Sequence, residues 1–171
     1  MKVVLVGYMA SGKSTVGKAL ATEMNLDFAD LDNLIEEEVG IPIQQIFSQK
    51  GELFFRKKEF EVLQKTLERK NNIVLATGGG TPCYGNNMQT ILTQSNISIY
   101  LQLSIPSLVD RISQEKDSRP LVKTIKDEDL PEFIGKHLFE RRNFYMQAEA
   151  AVVCDEKGIE EIVEEIKPFL I

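Results

Sequence analysis

The chain has 171 residues, of which 43% are hydrophobic and 27% are charged. This composition excludes disordered and collagen-like classes, and the length favours a single domain over residues 1–171. The net charge is −6, from 20 Lys and Arg residues against 26 Asp and Glu residues, and this negative surplus argues against binding to nucleic acid.

Short apolar runs of strand length alternate along the chain with longer segments of helical spacing. The pattern predicts strands at residues 3–6, 26–29, 73–76, 97–101 and 151–154, and helices at residues 14–25, 52–69, 84–93, 106–115, 131–148 and 158–167. Because parallel strands need crossover connections, this order predicts an α/β fold with a parallel five-stranded sheet and helices on both faces. Ligands of such folds bind at the carboxyl ends of the strands.

A charged segment at residues 114–130 interrupts this alternation. Lys, Asp, Glu and Ser dominate the segment, which also contains the pair Arg119-Pro120. Composition alone leaves two interpretations open, a plain solvated loop and a mobile insert.

The number of cysteines and the lengths of the apolar runs indicate where in the cell the protein is expected. Cys83 and Cys154 are too few for a disulfide framework and form no C-x-x-C pair. Residues 1–7 are too short for the core of a signal peptide, and no apolar run approaches the roughly 18 residues of a membrane span. We therefore expect free thiols in a soluble, cytoplasmic protein.

The first predicted strand leads into a phosphate-binding motif. Residues 7–14 read Gly-Tyr-Met-Ala-Ser-Gly-Lys-Ser and match G-x-x-x-x-G-K-[ST] between a strand and a helix. Successive backbone N–H groups of such a loop wrap a phosphate at the positive end of the helix. Lys13 would reach the β- and γ-phosphates, and the Ser14 hydroxyl would ligate Mg²⁺. The expected ATP contacts in this region are Ala10, Ser11, Gly12, Lys13, Ser14 and Thr15.

The motif indicates a nucleoside triphosphate but does not name the reaction. A GTP switch would carry an Asn-Lys-x-Asp guanine reader, and the chain contains no such tetrapeptide. A motor or transporter ATPase would need further domains to couple hydrolysis to work. A small-molecule kinase is therefore the class that fits best.

Two carboxylates, Asp30 and Asp32, follow the second predicted strand. Carboxylates at this edge can hold the Mg²⁺ hydration shell and can orient or deprotonate an attacking hydroxyl. The alternative is that an Asp caps a helix that starts here. We expect one of the two to cap and the other to take part in the chemistry.

A set of motifs in a fixed order resembles shikimate kinase over nearly the whole chain. The set comprises Gly7 to Ser14, Asp30-x-Asp32, Gly51-Glu52-x-x-Phe55-Arg56-x-x-Glu59, Thr77-Gly78-Gly79-Gly80, Arg119-Pro120-Leu121 and Arg141-x-x-x-Tyr145. The resemblance implies a P-loop kinase of the nucleoside monophosphate kinase-like fold. It further implies an acceptor-binding region at about residues 32–60 and a mobile lid at about residues 114–130.

The resemblance also implies a reaction. A shikimate kinase transfers the γ-phosphoryl group of ATP to the 3-hydroxyl of shikimate, which gives shikimate 3-phosphate and ADP in aromatic amino acid biosynthesis. We expect one Mg²⁺ per chain, shikimate and ATP as the binding partners, no nucleic acid or membrane partner, and a monomer.

Residue roles follow from the resemblance, position by position. Catalysis is assigned to Lys13, Asp32 and Arg119. Further ATP contacts are assigned to Arg111 and Arg119, and the metal to Ser14 and Asp30. Shikimate binding is assigned to Asp32, Arg56, Gly78, Gly79, Gly80 and Arg141.

The two acceptor arginines have physical alternatives. A guanidinium can present paired donors to a planar carboxylate, which suits Arg56 and Arg141. Glu59 lies one helical turn from Arg56 and would hold its side chain in place for this role. On periodicity alone, however, Arg56 is a solvated helix residue. Asn143 stands where the family commonly has proline, so the sequence leaves open whether Arg141 or Arg142 binds the carboxylate.

The sequence leaves two rival functions open. Another small-molecule kinase of the same architecture would phosphorylate gluconate or a nucleoside monophosphate. A nucleotide-binding regulator would bind ATP without transferring phosphate. Phosphoryl transfer to a panel of acceptors discriminates between all three.

Overall fold

The computed structural model describes residues 1–171 as five strands, seven α-helices and four short 3-10 helices. The strands are β1 (Lys2–Val6), β2 (Asp27–Asp30), β3 (Ile73–Ala76), β4 (Ile97–Gln102) and β5 (Ala150–Val153). The helices are α1 (Lys13–Met24), α2 (Leu31–Val39), α3 (Ile43–Glu68), α4 (Asn87–Gln94), α5 (Ile105–Gln114), α6 (Leu130–Tyr145) and α7 (Ile159–Ile166). None of the helices combines the length and apolarity needed to cross a membrane.

The sheet is parallel throughout, with strand order β2-β3-β1-β4-β5. Side chains of the central strands β1 and β3 are almost all buried. Because successive side chains of a strand point to opposite faces, burial of this kind requires cover on both faces of the sheet. The predicted α/β fold with a covered parallel sheet is therefore confirmed.

The apolar pattern does not predict two helical stretches that the structure contains. Helix α2 buries only Leu31 and Ile35, which is too short a stripe to recognise in an acidic segment. Helix α3 is bent at Gly51, which has φ 84° and ψ 168°. The predicted helix from residue 52 is the part after this bend, and the part before it, from Ile43, buries only Ile46.

The other element boundaries differ from the prediction by a few residues. The strands predicted at 26–29 and 151–154 are each displaced by one residue, to Asp27–Asp30 and Ala150–Val153. The helix predicted from residue 84 begins at Asn87, because a short 3-10 helix at Thr81–Cys83 comes first.

The charged segment at residues 114–130 folds onto the domain. It contains short 3-10 helices at Lys116–Ser118 and Asp127–Asp129, and an ion pair of 2.9 Å joins Lys116 to Asp127. Val122, in the middle of the segment, is fully buried. The segment is therefore anchored by an apolar side chain, which a plain solvated loop would not have.

Helix α1 lies so close to the sheet that a Cβ atom at position 17 would force the Phe28 ring to shift. A Cβ atom there would come within 2.7 Å of Phe28 Cε2 and 3.3 Å of Leu5 Cδ1. We expect Gly17→Ala to lower the free energy of unfolding by about 1–3 kcal/mol in urea denaturation, because overpacking outweighs the gain in helix propensity.

Gly135 in α6 provides the matched control. Its nearest neighbour would lie 3.6 Å from an added Cβ, an ordinary contact. Gly135→Ala should therefore raise the free energy of unfolding by about 0.5–1 kcal/mol. Equal effects of the two substitutions would contradict the close packing of α1.

Candidate active site

The loop after β1 forms a compact cradle at the start of α1. Gly12 is the N-cap of α1 and has φ 90°, a left-handed conformation that favours glycine. The Lys13 Nζ atom donates to the carbonyl oxygens of Gly7 at 2.8 Å and Tyr8 at 2.9 Å. Burial lowers the pKa of Lys13 to about 8, although the carboxylates of Asp32 and Asp30 favour its charged form. An anionic ligand in the cradle would favour the charged form further.

Asp30 connects the cradle to the next helix. One carboxylate oxygen, Oδ2, accepts from the Ser14 hydroxyl at 2.5 Å, and the other, Oδ1, accepts from the backbone N–H of Asp32 at 3.0 Å. Asp30 is thus the N-cap of α2, and the capping alternative holds for this residue.

The Ser14 hydroxyl oxygen and the Oδ2 atom of Asp30 together fit a magnesium ion. A hydroxyl and a carboxylate are the hard donors that Mg²⁺ takes from protein, while water and phosphate supply most of its shell. No cluster of three or more His, Cys, Asp or Glu side chains offers a complete protein cage for a metal. The donor set therefore suits a cation that binds together with a nucleotide.

Asp32 is the carboxylate that capping leaves free. Its Oδ1 atom lies 2.9 Å from the position that a Cβ of Gly78 would occupy, so the triple glycine brings the backbone directly against it. Burial raises the pKa of Asp32 to about 6, and the negative charges of Asp30 and Glu59 add to the effect. Asp32 therefore titrates close to neutral pH, in the range useful for a general base.

Arg56 and Arg141 meet beside the third residue of the triple glycine. An added Cβ at Gly80 would lie 3.1 Å and 3.2 Å from the two terminal nitrogens of Arg56 and 3.3 Å from Arg141 Nη2. The structure thus brings Arg141 to this place, whereas Arg142 is exposed. Two guanidinium groups at one point form a strong site for a small anion.

A buried carboxylate holds Arg56 in this position. Glu59 is 1% exposed and accepts from Arg56 Nη1 at 2.9 Å with one oxygen and from Thr81 Oγ1 at 2.8 Å with the other. The side chain of Arg56 is only 18% exposed, so its interpretation as a solvated helix residue is wrong. The sequence pattern contains Glu59 but no signal for Thr81, which follows the glycines.

The phosphate-binding loop, Asp30, Asp32 and the first two glycines of the triple glycine line one cleft of about 480 Å³ at the carboxyl edge of the sheet. Arg56 and Arg141 lie next to this cleft, beside Gly80. Arg111 donates to the Ala10 carbonyl at 3.1 Å and so lies against the phosphate-binding loop. Arg119 forms an ion pair with Glu115 at 2.5 Å, and both side chains line the cleft. The lining residues are Met9, Ala10, Gly12, Lys13, Ser14, Thr15, Asp30, Asp32, Thr77, Gly78, Gly79, Arg111, Glu115 and Arg119.

Two tyrosines support the site in ways that the sequence did not indicate. The Tyr145 hydroxyl donates to the Gly79 carbonyl at 2.6 Å, and burial raises the pKa of this tyrosine. The Tyr8 hydroxyl and His137 Nδ1 are hydrogen-bonded at 2.8 Å and join the phosphate-binding loop to α6. Tyr8 and His137 are 129 positions apart, so no local pattern could reveal their contact.

The chain matches the family model described as shikimate kinase over residues 9–170. It belongs to the shikimate kinase family. It is 47% identical over 169 residues to a shikimate kinase of Flavobacterium psychrophilum, and the match covers 99% of this chain and 98% of that relative. The family is one of ATP-dependent kinases, so the predicted family and enzyme class are confirmed.

Solved structures of shikimate kinases have the same fold. The enzyme from Bacteroides thetaiotaomicron is 34% identical with a TM-score of 0.92, and the match covers 99% of this chain and 98% of that one. The enzyme from Acinetobacter baumannii, solved in complex with shikimate, is 29% identical with a TM-score of 0.88 over 99% of this chain and 92% of that one.

The raised pKa of Asp32 means that ionisation of this carboxyl lowers the stability of the fold. The folded state holds the Asp32 proton more tightly than the unfolded chain, so this carboxyl costs stability as pH rises from about 4 to about 6, and the full cost remains above pH 6. Without nucleotide or Mg²⁺, Asp32→Asn should raise the free energy of unfolding at pH 7.5 by about 1–2 kcal/mol. The gain should shrink towards zero at about pH 4.

Urea denaturation of both proteins at several pH values measures this difference. Asp27→Asn is the matched control, because Asp27 is an exposed residue at the start of the same strand, β2. The control should change stability by less than about 0.5 kcal/mol at every pH. A stability gain for Asp32→Asn that does not depend on pH would contradict the raised pKa.

Proposed function

We propose that the protein transfers the γ-phosphoryl group of ATP to the 3-hydroxyl of shikimate, which gives shikimate 3-phosphate and ADP for aromatic amino acid biosynthesis. The observation that carries this proposal is the meeting of Arg56 and Arg141 beside Gly80. Asp32 lies at the other end of the triple glycine, against Gly78. A ring with one carboxylate and several hydroxyls matches this arrangement, because the guanidinium groups bind the carboxylate while Asp32 accepts from a hydroxyl.

The nucleotide binds in the cradle of residues 10–15. Lys13 exchanges the carbonyl oxygens of Gly7 and Tyr8 for phosphate oxygens, which relieves the cost of burying its charge. Arg111 adds a positive charge next to the Ala10 carbonyl. These contacts hold the β- and γ-phosphates in front of the acceptor.

Ser14 and Asp30 hold one Mg²⁺ per chain in this proposal. Their oxygen atoms lie 2.5 Å from each other, and the bound ion would neutralise charge on the phosphate oxygens. Removal of Mg²⁺ with a chelator would then abolish transfer and leave the fold intact.

Asp32 accepts the proton of the attacking hydroxyl. Its pKa of about 6 leaves it ionised at neutral pH yet basic enough to take a proton. The 3-hydroxyl oxygen forms a bond to the γ-phosphorus as the bond to the ADP oxygen breaks, without a covalent enzyme intermediate. Lys13 and Arg119 stabilise the charge on the transferred group, and Arg119 exchanges its partner Glu115 for a phosphate oxygen.

The remaining expectations complete the proposal. Residues 114–130 act as a mobile lid that excludes water, since water would compete with the acceptor for the phosphoryl group. Residues 32–60 form the acceptor-binding region within a single domain spanning residues 1–171. The protein works as a cytoplasmic monomer, without nucleic acid or membrane partners.

An acceptor panel with Mg-ATP tests the reaction. Shikimate, gluconate and nucleoside monophosphates are compared by the rate of ADP release and by the mass of the product. We expect shikimate to be converted with the highest kcat/KM. Faster turnover of another acceptor would identify that compound, and not shikimate, as the substrate. ATP binding without transfer to any acceptor would favour a nucleotide-binding regulator over a kinase.

A pair of adjacent arginines gives a matched test of the carboxylate site. Arg141→Ala should raise KM for shikimate about 10- to 100-fold, because it removes a charge-assisted contact to the carboxylate. Arg142→Ala removes the same charge from an exposed neighbour and should leave KM within about twofold. Steady-state kinetics that show the larger effect at Arg142 would reverse the assignment.

A further inference from the structure

Arg56 is held by a stacked ring as well as by its ion pair. The guanidinium carbon of Arg56 lies 3.6 Å from the centre of the Tyr84 ring and 5.1 Å from the centre of the Phe55 ring. A planar guanidinium at the shorter distance is in contact with the face of the aromatic ring, where the negative charge of the π system attracts the cation. Tyr84 thus contacts the cation that faces Gly80.

The nitrogen atoms of the Arg56 guanidinium differ in their hydrogen-bond partners. Nη1 is paired with Glu59 at 2.9 Å, whereas Nε is buried without a hydrogen-bond partner, since the Glu52 carboxylate lies 3.7 Å away. Among its hydrogen bonds, the guanidinium has only this contact to oppose rotation about its Nε–Cζ bond. A ring packed on the flat face removes that rotation and keeps the terminal nitrogens directed at Gly80.

Neither a hydrogen bond of its hydroxyl nor an aromatic pair holds the Tyr84 ring in its position. It follows the short 3-10 helix at Thr81–Cys83, is 37% exposed, and its hydroxyl forms no hydrogen bond within the protein. Its ring also takes part in no aromatic pair, unlike Phe55, which stacks with Phe47. The contact with Arg56 therefore explains the position of the ring better than the core of the fold does.

We infer that Tyr84 is a positioning residue for acceptor recognition: its ring holds the plane of the Arg56 guanidinium so that the two terminal nitrogens can bind a carboxylate together. The inference rests on the proposed function, since shikimate supplies that carboxylate. Tyr84 acts through Arg56 and does not touch the reacting atoms. Its contribution therefore falls on recognition of the acceptor and leaves the chemical step unchanged.

Steady-state kinetics of two variants separate the ring from the hydroxyl. Tyr84→Leu removes the aromatic face and should raise KM for shikimate about threefold to tenfold, with kcat and the KM for ATP within about twofold of the unmodified protein. Tyr84→Phe keeps the face and should restore KM for shikimate to within about twofold. Phe169→Leu is the matched control, an exposed ring near the C-terminus that should change none of these constants.

An acceptor without the carboxylate shows whether the ring works through Arg56. For a shikimate analogue with a neutral hydroxymethyl group in that position, Tyr84→Leu should leave KM unchanged. The inference is overturned if Tyr84→Leu leaves KM for shikimate unchanged, if Tyr84→Phe is as impaired as Tyr84→Leu, or if the neutral analogue loses as much as shikimate. An equal rise in the KM for ATP would indicate a general structural role and would overturn it too.

A measurement without any acceptor keeps this test separate from the proposed function. Nitrogen-15 NMR of the arginine side chains reports the rotation of the Arg56 guanidinium about its Nε–Cζ bond in the free protein. We expect slow rotation in the unmodified protein and in Tyr84→Phe, and faster rotation in Tyr84→Leu. Failure of shikimate in the acceptor panel would overturn the proposed function, whereas unchanged rotation in Tyr84→Leu would overturn the positioning role of the ring.

Discussion

Parallel pairing of the three strands β2, β3 and β1 is the constraint on which the site depends. Leu75 of β3 lies opposite Ala29 of β2 on one side and Val4 of β1 on the other, so the carboxyl ends of the strands are level. Thr77 extends this alignment, since both its backbone N–H and its hydroxyl donate to the Leu5 carbonyl. The phosphate-binding loop, the paired carboxylates and the triple glycine each follow one of these strands and therefore share one cleft.

The site gathers cations although the chain as a whole is acidic. The protein carries a net charge of −6, yet its cleft contains as many cations as carboxylates, and two more cations lie next to it beside Gly80. The cations are Lys13, Arg111 and Arg119 in the cleft and Arg56 and Arg141 beside it. Contacts within the protein hold these side chains in place, such as the ion pair of Arg56 with the buried Glu59. The acidic surplus therefore describes the outer surface, and small anions are attracted by a few cations in fixed positions.

Strands and motifs were predictable because their signals are local. The β-α alternation, the motif from Gly7 to Ser14 and the triple glycine are visible in short stretches of sequence, and each predicts its own geometry. Helix α2 was not predictable, because its buried face amounts to Leu31 and Ile35. The choice between Arg141 and Arg142 was equally hidden, since it depends on which side of α6 faces Gly80.

The carboxylate of Asp30 is hydrogen-bonded to both halves of the site. One of its oxygens accepts from Ser14, on the nucleotide side, and the other fixes the first turn of the helix that carries Asp32, on the acceptor side. A ligand that displaced the Ser14 hydroxyl from Oδ2 would therefore act on the same carboxylate that caps α2. Under the proposed function, any factor by which Mg²⁺ changed the affinity for the acceptor would equal the factor by which the acceptor changed the affinity for Mg²⁺, because coupling between two sites is reciprocal.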